Sequence, residues 1–231
     1  VSAALSTRQL TKHYAAGSDG ERPALAPLDL DIADGSLVAL IGHNGSGKTT
    51  LLRMVAGLLD PTGGTIEVHG HGVGSAPARA AVSYLADQPT FYDDLSLVEH
   101  LEYVARLHGV AEWQGRAHEL TARLGLSERL DQVPTTFSRG LRQKASIALA
   151  FVRPFSLLLV DEPFVGLDSA GKEALLDLFA EAHRAGAAVV VATHELGFVS
   201  RVERLVALAD GEVRYDGPPD GADAQTLVIP G

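Results

Sequence analysis

The chain has 231 residues, 46% hydrophobic and 6% aromatic, which is enough apolar material to fill one domain with room for a sub-domain. Lys and Arg total 19 against 29 Asp and Glu, a formal charge of −10, and that acidity argues against nucleic acid as a partner because phosphate neutralisation needs clustered cations. There is no cysteine, which excludes disulfides and thiolate metal sites and fits a reducing cytosol; with no apolar stretch near the ~18 residues of a membrane span and no signal-peptide pattern, the expectation is a soluble chain.

Through about Asp34 the sequence reads as short strands around a loop. Residues 15–27 carry Gly17, Ser18, Asp19, Gly20 and Pro23, which is turn chemistry, and Leu28-Asp29-Leu30-Asp31-Ile32 alternates as a half-buried strand does. Leu37 to Ile41 is an apolar run of buried-strand length. It leads into Gly42-His43-Asn44-Gly45-Ser46-Gly47-Lys48-Thr49-Thr50, which fits a phosphate-binding loop. Glycines let backbone N–H groups curl around phosphates, Lys48 offers a mobile charge to the β- and γ-phosphates, and Thr49 offers a hydroxyl to Mg²⁺. Only four lysines occur in the chain, so one at this position carries weight. Leu51, Leu52, Met54, Val55, Leu58 and Leu59 then recur at helical spacing until Asp60-Pro61, and the start of that helix would face the phosphates.

Thr65 to Val68 reads as a short strand before the glycine-rich turn at 69–74. His69 and His71 would share a face in a strand, but two imidazoles without a third ligand make a poor metal site. Character changes after Asp87. Residues 88–136 read as a helical insertion, with Leu97, Val98, Leu101, Val104, Ala105 and Leu107 on one face. A second face holds Trp113, Ala117, Leu120 and Leu124 and is stopped by Gly125. Strand–helix alternation then resumes. Leu157 to Val160 is a strand that ends in Asp161-Glu162-Pro163. Two carboxylates at the end of a buried strand are costly unless a cation or hydrogen bonds offset them, and such strand ends are where parallel sheets hold ligands. Asp161 would hold Mg²⁺ through water, and Glu162 would take a proton from, or polarise, an attacking water. Ala174, Leu175, Leu178, Phe179 and Ala182 stripe a helix ended by Gly186, and residues 187–192 form the next strand. Residues 218–231 read as a loose tail.

With Phe137-Ser138-Arg139-Gly140-Leu141-Arg142-Gln143 between them, the loop and the Asp-Glu strand end resemble the ATP-binding cassette (ABC) ATPases in order and spacing. Gly166-Leu167-Asp168 and Thr193-His194-Glu195 extend the resemblance, which runs from Tyr14 to about Gly217. It implies an α/β fold: a P-loop core with a parallel sheet (1–87 and 137–217), an N-terminal antiparallel β sub-domain and a helical sub-domain (88–136). It implies ATP and Mg²⁺ as the bound species and a head-to-tail pair of cassettes, either a homodimer or a pairing with a paralogous cassette. Each ATP would lie between one phosphate loop and the other subunit's Ser138 and Gly140. The signature departs from the common Leu-Ser-Gly-Gly-Gln form at Arg139 and Leu141, in the manner of certain bacterial exporters. His194 matches a switch histidine at the γ-phosphate, Asp168 an interface aspartate that can equally cap a helix, and Tyr14 an aromatic that stacks on adenine. Family register places Asp87 where a glutamine or glutamate is usual and Gln88 is one residue on; either can sense Mg²⁺ and water. The resemblance further implies a transmembrane permease subunit as partner, with the chain cytoplasmic and peripheral on the inner face of the membrane. A soluble ABC ATPase acting on nucleic acid or ribosomes is the rival class.

Overall fold

The computed structural model describes residues 3–14, 23–221 and 223, so the turn at 15–22 and most of the tail lie outside the described residues. Strand β1 (Ala3–Lys12) pairs antiparallel with β2 (Leu25–Ala33), whose Leu28, Leu30 and Ile32 are buried while Asp29 and Asp31 face solvent. After β3 (Leu37–Ile41) comes helix α1 (Lys48–Val55), then β4 (Gly63–Val68) and the two-residue β5 (His71–Gly72). These complete a four-stranded antiparallel sheet in the order β2-β1-β4-β5.

Helix α2 (Ala76–Ala81) and strand β6 (Val82–Leu85) follow, then α3 (Leu97–Leu107), α4 (Gln114–Arg123) and α5 (Arg139–Phe151). The last third alternates β7 (Leu157–Asp161), α6 (Ser169–Arg184), β8 (Ala188–Ala192), the short α7 (Leu196–Val199), β9 (Arg204–Ala209) and β10 (Glu212–Gly217). Six strands form a second sheet, β10-β9-β3-β8-β7-β6, parallel throughout except for the β9–β10 hairpin. This is the expected mixed α/β fold.

The three central strands β3, β7 and β8 are buried at every position, as strands covered on both faces are. Period-two alternation splits their side chains between two cores. Ala39, Leu158, Val191 and Ala207 join helices α3 to α6 on one face. Leu40, Leu159, Val190 and Val206 join α1 and the antiparallel sheet on the other.

Three local expectations need correction. Helix α1 stops at Val55, not at Asp60-Pro61, because Gly57 takes a left-handed φ of 72° and closes it first. Leu58 therefore leaves the apolar stripe and is 66% exposed. On α3, Leu97, Leu101 and Ala105 are buried as expected, but Leu107 in the final turn is 67% exposed. The stops at Gly125 and Gly186 hold, each glycine having positive φ just past its helix.

Candidate active site

The carboxyl ends of β3, β7 and β8 lie side by side and carry the expected residues. The loop after β3 turns through Gly42, Gly45 and Gly47, all at positive φ. A side chain at Gly42 would strike the Leu208 carbonyl, so the strand-to-loop turn tolerates no Cβ. Ser46 is buried with its hydroxyl unpartnered, and His43 turns its Nδ1 to the Asn44 carbonyl at 2.8 Å. Asn44 and Gly45 are exposed at the loop's crest. Lys48, the first residue of α1, is 6% exposed and donates from Nζ to the carbonyls of Gly42 at 2.7 Å and His43 at 3.2 Å. Burial holds its ammonium below the ordinary lysine range, while Glu162 and Asp161 pull it back up.

Asp161 ends β7 at 1% exposure, and its Oδ1 has no hydrogen-bond partner. Burial pushes its carboxyl up; Thr49 draws it down, Glu162 and Asp87 push it further up, and Lys48 again lowers it. A buried carboxylate with an orphaned oxygen, beside a threonine hydroxyl and a lysine, is a hard-oxygen donor set that fits Mg²⁺. Glu162 follows at a left-handed φ of 46°, with its N–H on the Ala192 carbonyl at 2.8 Å. For a non-glycine residue that conformation costs about 1–3 kcal/mol, and such strain collects at functional sites. It turns the Glu162 side chain toward the end of β8, where Oε2 accepts from His194 Nδ1 at 2.8 Å and His194 N–H at 3.3 Å.

Asp87 is half-buried and close enough to act on the Asp161 charge, whereas Gln88 is exposed. Tyr14, 56% exposed, places its hydroxyl 3.3 Å from Thr50 Oγ1, with Lys12 Nζ 5.5 Å from its ring centre. Ser138 caps α5, accepting from the Leu141 N–H at 3.4 Å. A Cβ at Gly140 would sit 2.5 Å from the Gly166 carbonyl, so α5 starts in direct contact with the loop that ends at Asp168. Asp168 caps α6 through the Gly171 N–H at 2.8 Å and pairs with Lys144 at 2.9 Å. Ser138 and Gly140 at the start of α5, and Asp168 through Lys144 on the same helix, thus form one cluster.

Sequence reasoning missed Tyr84. Its hydroxyl lies 3.5 Å from Asp161 Oδ2, and burial, with the Asp161 charge second, pushes its phenol up to about 12. The only signal was its place three residues before Asp87 in a strand that the apolar pattern did not reveal. Trp113 is core, 5% exposed, as expected.

Residues 25–165 match the family described as ABC transporter. The ABC-type transporter ATP-binding protein EcsA of Bacillus subtilis is 35% identical over 92% of this chain and 86% of its own length. The macrolide export ATP-binding/permease protein MacB of Bradyrhizobium diazoefficiens is 35% identical over 89% of this chain, which spans 33% of that longer protein. A solved ATP-binding subunit of an ABC transporter superposes with TM-score 0.89 at 32% identity over 97% of both chains. A dimeric ATP-binding cassette in a post-hydrolysis state, bound to ADP and Pi, superposes with TM-score 0.85 at 25% identity, covering 93% of this chain and 98% of its own.

Proposed function

The chain belongs to the ABC transporter family, an ATP-binding and ATP-hydrolysing subunit that powers transport, and from that premise we propose how its residues divide the work. Lys48 exchanges its two carbonyl partners for β- and γ-phosphate oxygens, while the N–H groups of residues 42–47 and the start of α1 surround the same charge. Tyr14 stacks on the base, and Ser46 and Thr50 complete the cradle. Thr49 and Asp161 would hold Mg²⁺, with Asp87 or Gln88 sensing it beside them; once bound, the ion offsets phosphate charge. Glu162 accepts the proton of the attacking water, and His194, bonded to Glu162 Oε2, fixes the direction of that carboxylate.

The cluster of Ser138, Gly140 and Asp168 serves a second nucleotide. In a head-to-tail pair of cassettes, homodimeric or with a paralogue, the α5 N-terminus of one subunit meets the γ-phosphate held by the other. ATP then closes the pair and hydrolysis releases it, because ADP lacks the anion that both subunits touch. Residues 1–87 and 137–217 act as the ATP-binding core and 88–136 as the helical lobe. Among the described residues no helix is long and apolar enough to cross a membrane. Family membership supports a transmembrane permease subunit as partner, with the chain against the inner membrane face through it.

The buried Asp161, with Oδ1 orphaned next to Lys48 and Thr49, is the observation that carries this reading. A turnover assay tests it: the purified chain hydrolyses ATP with Mg²⁺, and chelation stops turnover. Hydrolysis that persists in chelator, or in Asp161→Asn at the wild-type rate, would contradict it.

A further inference from the structure

One side chain with no role assigned above touches a near neighbour of both Glu162 and His194. Lys172 lies at the end of the first turn of α6, where its N–H donates to the Asp168 carbonyl at 2.9 Å. Its Nζ donates to Glu195 Oε1 at 2.6 Å and stands 6.0 Å from the centre of the Phe164 ring. Glu195 directly follows His194, and Phe164 lies two residues after Glu162. A single ammonium therefore spans the two chain segments that carry the base and the imidazole bonded to it.

The two segments are held unequally. Phe164 is buried and packs on Phe179 and Phe198, so the core fixes the Glu162 side. His194 is exposed, and among the described residues its ring bonds to Glu162 alone. Its place depends on the backbone at either side. Before it, Thr193 is buried, donates its N–H to the Leu40 carbonyl at 3.1 Å and accepts the Glu195 N–H on Oγ1 at 3.0 Å. After it, α7 has only four residues, too short to hold itself. Glu195 occupies the N-cap of α7 without a side-chain cap bond. A capping side chain ordinarily turns its oxygen to the helix's own N–H groups; Glu195 turns it to Lys172.

We propose that Lys172 is a positioning residue for ATP hydrolysis: by holding Glu195 it keeps His194 Nδ1 against Glu162 Oε2. The inference rests on the reading of Glu162 as base and His194 as the group that directs it, and it adds what holds the histidine. Lys172 and Glu195 are 37% and 38% exposed, so water screens the pair and its loss weakens turnover without ending it.

Steady-state kinetics test this. Lys172→Met should lower kcat by about fivefold and leave KM for ATP within about twofold, since no nucleotide contact is lost. Lys172→Arg, which keeps the charge, should recover at least about half of the wild-type kcat. Glu195→Gln should match Lys172→Met, and the double variant should fall no further than either single one, as a shared interaction requires. In ¹⁵N spectra the His194 Nδ1 resonance, identified by its loss in His194→Gln, should move in Lys172→Met and return in Lys172→Arg. An unchanged kcat in Lys172→Met, a rise in KM in its place, multiplying losses in the double variant or an unmoved His194 resonance each overturn the proposal. Glu162→Gln separates the two readings. If it turns over ATP at the wild-type rate, the base assignment fails, and the His194 resonance still decides whether Lys172 holds that ring.

Discussion

The two ends of the central sheet are built on opposite plans. At the amino ends of β7 and β8 the polar groups find partners within the chain. Ser156 Oγ meets His69 Nε2 at 2.7 Å, and His69 Nδ1 meets Asp34 at 3.1 Å. The Ser36 and Ser156 carbonyls accept from Val189 and Ala188 at 2.8 and 2.9 Å. At the carboxyl ends of β7 and of β3 in the same sheet, Asp161 Oδ1 and Ser46 Oγ are buried without partners, Glu162 is held in a left-handed conformation, and Lys48 is buried. The same sheet thus spends stability at one end and holds it at the other. Unmet hydrogen-bonding capacity marks the end where a ligand supplies the missing partners.

The sharpest way to break this contrast is at Glu162. Glu162→Gln keeps the shape and removes the base, and single-turnover kinetics should show a fall in kcat of about 10²–10⁴-fold with ATP binding retained. Lys48→Met comes next. ATP affinity and turnover should drop by about 10²–10³-fold in equilibrium binding and rate assays. Its thermal midpoint should stay level or rise, since a buried charge has been removed. A fall in stability as large as the fall in activity would show that the carboxyl end is not the strained one.

Gly140→Ala probes the second cluster. The added methyl meets the Gly166 carbonyl at 2.5 Å, so unfolding free energy should fall by about 1–3 kcal/mol, and ATP-dependent association should weaken. The smallest effect is expected at the amino end. His69→Ala removes the bridge between Ser156 and Asp34, and denaturant unfolding should register a loss of about 1 kcal/mol with ATP turnover unchanged. Lost turnover there would erase the distinction between the two ends.

The carboxyl end was legible because its chemistry is local in sequence. Gly42 to Thr50 and Asp161-Glu162 each sit at the end of an apolar run, and the structure brings them together where strand alternation says it should. His194 was found because it follows a buried strand. What escaped is set by contacts across the fold. Strand β6 is half polar, since Ser83 is satisfied by the Ala150 carbonyl at 2.8 Å and Tyr84 reaches Asp161, so its hydropathy hides it. His100 is buried on α3, bonded to the Ser96 carbonyl at 2.8 Å and to the Tyr92 N–H at 2.9 Å, a partnership that no helical spacing announces. The α1 stop at Gly57 was written in the sequence and was overshadowed by the Asp60-Pro61 signal beyond it.

The central claim is that a second cassette completes each nucleotide site. Light scattering of Glu162→Gln with Mg²⁺ and ATP tests it most directly. The account predicts that ATP doubles the particle mass and that ADP leaves it single, with Ser138→Arg abolishing the doubling while each monomer still binds ATP. A chain that stays monomeric with ATP bound and the γ-phosphate fully enclosed would contradict it.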